Sequence, residues 1–262
     1  MPRQAPVKCG AGTRRGRTVG RAADPGTRAQ RPMIPLRDEN PSATRPFVTW
    51  TLIALNAVGF LYELTLGPEL REFMLHWGLV PARLTLAVRD GAEPALQAGL
   101  PFLSSMFLHG GWMHLIGNMW YLAIFGDNVE DRFGHFRFLA FYLVAGLAGG
   151  ALHYGFNLGS EIPTVGASGA IAGVLGAYLA AFPRARVITL VPFFLFFQLM
   201  ALPAVVVLGL WFIFQFFSGA LSLAWTTQGG SVAWWGHIGG FAFGFIVMKL
   251  FGGRRPSRAW VE

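Results

Sequence analysis

The feature that most constrains this chain is a run of about 20 apolar residues, Phe47–Leu66, followed by five more apolar stretches set off by short polar breaks. A bilayer core of about 30 Å takes roughly 20 helical residues to cross. In hydrocarbon only helices and closed barrels satisfy every backbone group. The later stretches are Trp112–Gly126, Phe138–Phe156, Val165–Phe182, Pro203–Phe217 and Val232–Phe251. The fifth is the end of a run of about 31 apolar residues, 187–217, too long for one straight helix; Pro192 and Pro203 offer the break. Composition agrees: 53% of residues are hydrophobic and 13% charged, against about 25% charged in an average soluble domain. The expected fold is an all-α membrane protein, a six-transmembrane helical bundle over residues 47–252, with the lipid bilayer as its solvent.

Charge orients the bundle. Residues 1–46 carry ten Arg/Lys against Asp24, Asp38 and Glu39, so most of the net charge of +8 sits in one tail. A basic excess can mean nucleic acid, but this one lacks interleaved aromatics and adjoins an apolar core, so a cytoplasmic, membrane-proximal tail is the simpler reading and no nucleic-acid partner is expected. The segments placed inside hold Arg132, Arg137, Arg184, Arg186, Lys249, Arg254, Arg255 and Arg258, whereas the outer loops 157–164 and 218–231 hold no Lys or Arg; the first outer loop breaks the pattern with Arg71, Arg83 and Arg89, balanced by its acidic residues. Both termini are therefore expected on the cytoplasmic side, with residues 253–262 a short basic tail. Residues 1–46 read as disordered; 1–32 lack the apolar run of a signal peptide, and a transit peptide or a true start at Met33 are the alternatives, the last preferred. Residues 67–100 are too polar to span and suit the membrane surface, and residues 127–137 read as a charged loop. The one cysteine, Cys9, excludes a disulfide framework and a cysteine-based metal site.

Polar groups inside spans default to functional hypotheses, and four stand out: His114, Asn118, Ser168 and His237. With the orientation above, the helices bearing His114, Ser168 and His237 all enter from the outer side, which sets these residues roughly 3–9 Å below the boundary. Asn118 lies one turn below His114 on the same face. Ser168 stands in Gly166-Ala167-Ser168-Gly169, where small neighbours admit a substrate carbonyl and a helix start supplies free N–H groups. A serine hydroxyl needs a base, and imidazole is the usual one at neutral pH; His237 stands in Trp235-Gly-His-Ile-Gly-Gly240. Glycines at spacing four (Gly169, Gly173; Gly236, Gly240, Gly244) are also ordinary helix-packing surfaces, and packing the two sets together would bring His237 to Ser168. His114 and Asn118 serve equally as oxyanion donors or as interhelical hydrogen-bonding groups. Of the carboxylates, Asp127, Glu130 and Asp131 lie at the wrong end of their helix, while Glu63 and Glu161 remain open; a Ser/His dyad is the reading by elimination. His109, His114 and His237 are a weaker case for metal, since His109 and His114 do not share a helix face and no HExxH occurs. No metal or cofactor is expected.

Taken together, His109-Gly-Gly-Trp-Met-His114-Leu-Ile-Gly-Asn118, Phe125-Gly-Asp-Asn-Val-Glu130, Gly166-Ala-Ser168-Gly169-Ala-Ile-Ala-Gly173 and Trp234-Trp-Gly-His237-Ile-Gly-Gly240 resemble rhomboid proteases of the bacterial six-helix type, over about residues 45–252. The resemblance implies Ser168 as nucleophile, His237 as base, and His114, Asn118 and the Ser168 amide as oxyanion donors. Gly126, Glu130 and Gly134 resemble the family's structural loop motif, and Met33-Ile-Pro-Leu-Arg-Asp38 its usual start in this subgroup. Two departures stand out: Leu100-Pro101 replaces the Trp-Arg pair of the first outer loop, and Ala172 replaces the aromatic that stacks on the histidine. The activity implied is intramembrane serine endopeptidase, cutting transmembrane segments of membrane proteins near the outer face, in a bacterial inner membrane. The alternatives are a catalytically inactive rhomboid-like binding protein and a transporter, though the halves show no convincing repeat.

Overall fold

The computed structural model describes residues 33–91, 94–193, 196–224 and 233–252. The expectations for residues 1–32, for residues 225–231 of the outer loop 218–231 and for the tail 253–262 lie outside the described residues, whereas residues 218–224, expected as loop, are helix. The chain runs β1 (Ile34–Asp38), α1 (Phe47–Thr65), α2 (Leu70–Trp77), α3 (Pro81–Asp90), α4 (Ala95–Ser104), α5 (Trp112–Phe133), α6 (His135–Phe156), α7 (Ser168–Ala181), β2 (Arg186–Phe193), β3 (Phe196–Pro203), α8 (Ala204–Ala224) and α9 (Trp234–Phe251). Helix is the dominant structure, and α1, α6 and α8 (over Ala204–Ser222) are long and apolar enough to cross a membrane. The 19 residues of α1 extend about 28 Å at 1.5 Å per residue. The protein is an integral membrane protein. Its lipid-type surface is apolar: Trp50, Val58, Leu61, Phe214 and Phe217 are all exposed.

α7 is the pivot of the bundle. It is apolar all round, as a fully enclosed helix must be, and Ala170 through Tyr178 are all buried. α5, α6, α8 and α9 pack around it, closing a core that includes Phe125, Phe138, Tyr142, Leu175, Tyr178 and Phe241. The α7–α9 contact is made backbone to backbone: a Cβ on Gly240 would stand 1.9 Å from the carbonyl oxygen of Gly169, and one on Gly244 1.9 Å from that of Gly173. Without a side chain at these positions the two helices approach closely enough for van der Waals packing along their whole crossing, the driving force that membranes leave to helices.

Three further expectations are corrected. First, the bundle is not purely helical. β2 and β3 form an antiparallel hairpin, with Arg186 opposite Pro203 and Phe193 opposite Phe196. β1 adds to the other edge of β2, from Ile34 opposite Leu190 to Asp38 opposite Val187, with a bulge between Pro35 and Arg37. The apolar run 187–217 is thus divided at Pro203, where α8 begins, but its first part is sheet because β-branched and aromatic residues favour the pleated surface. Second, the stretch expected to be disordered up to residue 46 is ordered from residue 33 onward. Trp120 donates its indole N–H to the Pro35 carbonyl at 2.6 Å, and Tyr178 donates its hydroxyl to Asp38 at 2.6 Å.

Third, residues 127–133 are helix rather than loop, the last two turns of α5. Their charges face partners distant in sequence. Glu130, fully buried, accepts the amide N–H groups of Val48 (3.0 Å) and Thr49 (2.8 Å) and the Thr49 hydroxyl (2.7 Å). The first amides of a helix have no internal acceptor and carry partial positive charge, so this carboxylate caps α1 from a neighbouring helix. It also pairs with His135. Asp131 accepts from the Thr44 amide at 2.9 Å, and further from the Ala43 amide and the Thr44 hydroxyl.

Candidate active site

Helix starts build the site. Gly110-Gly111 ends the preceding turn, and Gly111, at φ +150°, releases the chain into α5. His114 is the third residue of that helix, and Asn118 follows one turn later. Gly166, at φ +124°, turns the chain into α7, whose first residue is Ser168. α9 starts at Trp234, and His237 is its fourth residue, with its amide bonded to the Ala233 carbonyl at 3.1 Å. Ser168, His237, His114 and Asn118 line one cavity of about 600 Å³, with Trp211 and Gln215 of α8 on its wall.

Within it, the Ser168 hydroxyl lies 2.8 Å from Nε2 of His237. Nδ1 of the same ring lies 2.7 Å from the side-chain oxygen of Gln215. His237 and Gln215 are buried; Ser168 is half-buried on the cavity side. On the opposite wall, the Gly110 amide donates to Nδ1 of His114 at 3.3 Å. A neutral imidazole whose Nδ1 accepts carries its proton on Nε2, and Nε2 is the atom His114 turns toward Gly166. A Cβ on Gly166 would stand 2.7 Å from Cε1 and Nε2 of His114 and 3.6 Å from Nδ2 of Asn118. Glycine is therefore needed here twice, for the backbone angle and for the approach of the two side-chain donors to the start of α7. Asn118 is buried, yet its Nδ2 has no hydrogen-bond partner among the described residues. Two N–H donors of α5 and the open amides of the first turn of α7 thus face the region beside Ser168. An acyl carbon placed at Ser168 Oγ would have its oxygen within reach of donors fixed in advance.

The carboxylates left open by the sequence lie elsewhere. Glu63 is buried in α1 and accepts the His109 amide at 3.0 Å, so it holds the turn ahead of α5. Glu161 is exposed in the loop before α7. Glu130 and Asp131 bind residues 43–49 at the far end of α5, as above, and Asp127 accepts the amide N–H of Asn128 there at 2.7 Å. His153 is buried in α6 with Nε2 2.8 Å from the Thr164 hydroxyl. Gln215 was missed. Its signal was a single amide inside Ala204–Ala224, a stretch otherwise built of apolar residues, Gly and Ser, and the rule that intramembrane polar groups mark function applies to amides as well as to charges.

Residues 98–254 match the family model described as Rhomboid domain. The chain is 34% identical over 196 residues to RHOMBOID-like protein 4 of Arabidopsis thaliana, covering 70% of this chain and 43% of that protein. It is 34% identical over 136 residues to Rhomboid protease GluP of Bacillus subtilis (strain 168), covering 52% of this chain and 24% of that one. A third relative is Presenilin-associated rhomboid-like protein A, mitochondrial, of Danio rerio, 34% identical over 148 residues, 55% and 36% of the respective lengths. The chain spans a quarter to under half the length of these relatives. The matched region takes in α5 through α9 and every residue of the cavity named above, and the chain belongs to the rhomboid family.

Proposed function

We propose that this protein is an intramembrane serine endopeptidase that cleaves transmembrane segments of other membrane proteins near the outer membrane face. The observation that carries the reading is the 2.8 Å approach of Ser168 Oγ to His237 Nε2 at the head of a 600 Å³ cavity. In this mechanism Nε2 takes the hydroxyl proton as Oγ attacks the scissile carbonyl. His114, Asn118 and the Ser168 amide stabilise the oxyanion, a contribution usually worth about 10²–10³ in kcat for each donor. The imidazolium returns its proton to the leaving amine, and a water activated by the same nitrogen then hydrolyses the acyl-enzyme. A helical substrate hides its peptide bonds in internal hydrogen bonds, so segments rich in helix-weakening residues should be the better substrates.

The same reading makes α1, α5, α6, α7, α8 and α9 six crossings with both termini cytoplasmic, in a bacterial inner membrane. The excess of Arg and Lys in the inner segments supports it, as does the match to a bacterial rhomboid protease. The test is cleavage of a transmembrane substrate by the full chain in detergent, comparing wild type with Ser168→Ala and His237→Ala. Cleavage by wild type alone is expected, with both variants folded. A Ser168→Ala protein that cuts at the wild-type rate refutes the mechanism. Absence of cutting and of Ser168 labelling by a fluorophosphonate would leave the non-catalytic, rhomboid-like binding role.

A further inference from the structure

Gln215 stands behind His237 as a third member of the Ser168–His237 line, and it is the only contact of the three that comes from α8. Its Oε1 is 2.7 Å from Nδ1, and both side chains are buried. An amide oxygen accepts and cannot donate, so Nδ1 carries the proton and the lone pair is left on Nε2, 2.8 Å from the Ser168 hydroxyl. That is the tautomer a general base needs. On α7, Ala172, one turn after the serine, has only a methyl group to offer. The ring has aromatic contacts with Trp211, from α8 again, with centroids 6.0 Å apart and planes at 37°, and with Trp234 of its own helix at 6.4 Å. We infer that Gln215 is a positioning residue that fixes the tautomer and orientation of His237 for proton transfer from Ser168. The inference rests on the proteolytic reading above for its consequence, but not for its geometry.

A neutral amide has a distinct chemical effect. It selects the tautomer without a charge to hold the imidazolium, so replacing it by a carboxylate should keep the tautomer and favour the protonated ring. Among the described residues, the ionisable groups that interact with His237 are His114 of α5 and His153 of α6, both common to all variants. In the full chain in detergent, Gln215→Met keeps the length of the side chain and removes the acceptor. It is expected to lower kcat roughly ten- to a hundredfold, part of the 10²–10⁴ that acid–base catalysis supplies, with KM held within about twofold. Gln215→Glu is expected to restore most of kcat and to move the acid limb of the kcat/KM profile up by about one pH unit or more, because a nearby negative charge favours imidazolium. A purely structural α8–α9 bond would give neither the kcat-only loss nor the limb shift.

Imidazole ¹⁵N spectra of the histidine-labelled protein, with His237 assigned by difference from His237→Ala, read the tautomer without any need for cleavage. The expected result is proton on Nδ1 in wild type and in Gln215→Glu, and a mixture of tautomers in Gln215→Met. Proton on Nε2 in neutral wild-type His237, or a spectrum unmoved by Gln215→Met, overturns the inference even if the enzyme cuts. The expected spectra from a protein that cuts nothing would retain the positioning role and overturn the proteolytic reading alone.

Discussion

Asn118 shows how a single side chain separates a structural from a chemical role. In an interhelical role its amide nitrogen would have an acceptor on a neighbouring helix. Instead Nδ2 is buried beside Gly166 without a partner among the described residues. A buried donor left unpaired costs on the order of 1–3 kcal/mol, and a preorganised oxyanion donor is where such a cost is tolerated, because it is recovered when negative charge develops. Asn118→Ala should therefore lower kcat by about 10²-fold or more, leave KM nearly constant and change Tm little, since no internal bond of Nδ2 is lost. Turnover and thermal melting measured on the same preparation check this; a variant that loses stability and keeps its kcat would make Asn118 a packing residue. His114 shares the oxyanion with it in this scheme, and its donor nitrogen is set by the Gly110 amide, a backbone contact that a change of residue 110 other than to proline would leave in place.

At the scale of elements, the distance between Ser168 and His237 is set by the crossing of α7 and α9. Ser168 precedes Gly169 by one residue, and His237 precedes Gly240 by three, while a Cβ on Gly240 would meet the Gly169 carbonyl at 1.9 Å. Backbone cannot rotate away as a flexible side chain can, so one methyl group must push the helices apart. Gly240→Ala should destabilise the protein by about 1–3 kcal/mol, the usual cost of overpacking, and abolish more activity than the lost folded fraction explains. Melting and rate per folded molecule test this, and a wild-type Tm would show that the seam is looser than its geometry. This crossing was legible in the sequence because glycines at spacing four mark one helix face. So were the helix positions, because hydrophobic length is a strong signal. The hairpin β2–β3 was not: a continuous apolar run has no period, and only its content of Val, Ile, Thr and Phe tips it toward strand. The end of α5 was misread for the opposite reason. Its charges look like a solvated turn until residues 43–49, some 80 positions away, are found to bind them. Gln215 is less legible because, unlike Asn118 one turn after His114, it has no histidine on its own helix to mark its face.

The whole molecule has two polar ends with different tasks. One end gathers Ser168, His237, His114 and Asn118 at helix starts; the other gathers Asp38, Asn128, Glu130, Asp131 and Tyr178, where the chain passes from β1 into α1. The first end is polar for chemistry, the second because the strand and the cap of α1 must be tied to the bundle. Asp38 is the titratable part of that tie. Burial raises its pKa from 3.8 to about 6, with the charge of Asp127 adding to the rise and the Tyr178 hydroxyl opposing it. A carboxyl that is a weaker acid when folded stabilises fully below its unfolded pKa, and that contribution is lost as pH rises through the folded value. Between about pH 4 and pH 6 the wild-type protein should thus lose stability that an amide in the same place would keep, since Asn can accept the Tyr178 hydroxyl without ionising. Asp38→Asn is expected to melt close to wild type at pH 4 and above it at pH 8, the gap opening through that window. Melting curves of both proteins at the two pH values isolate this one group, because the other titrations are common to them. An equal gap at both pH values would mean that Asp38 is held as a solvated carboxylate, and a gap of opposite sign that it is an ionised anchor of the strand.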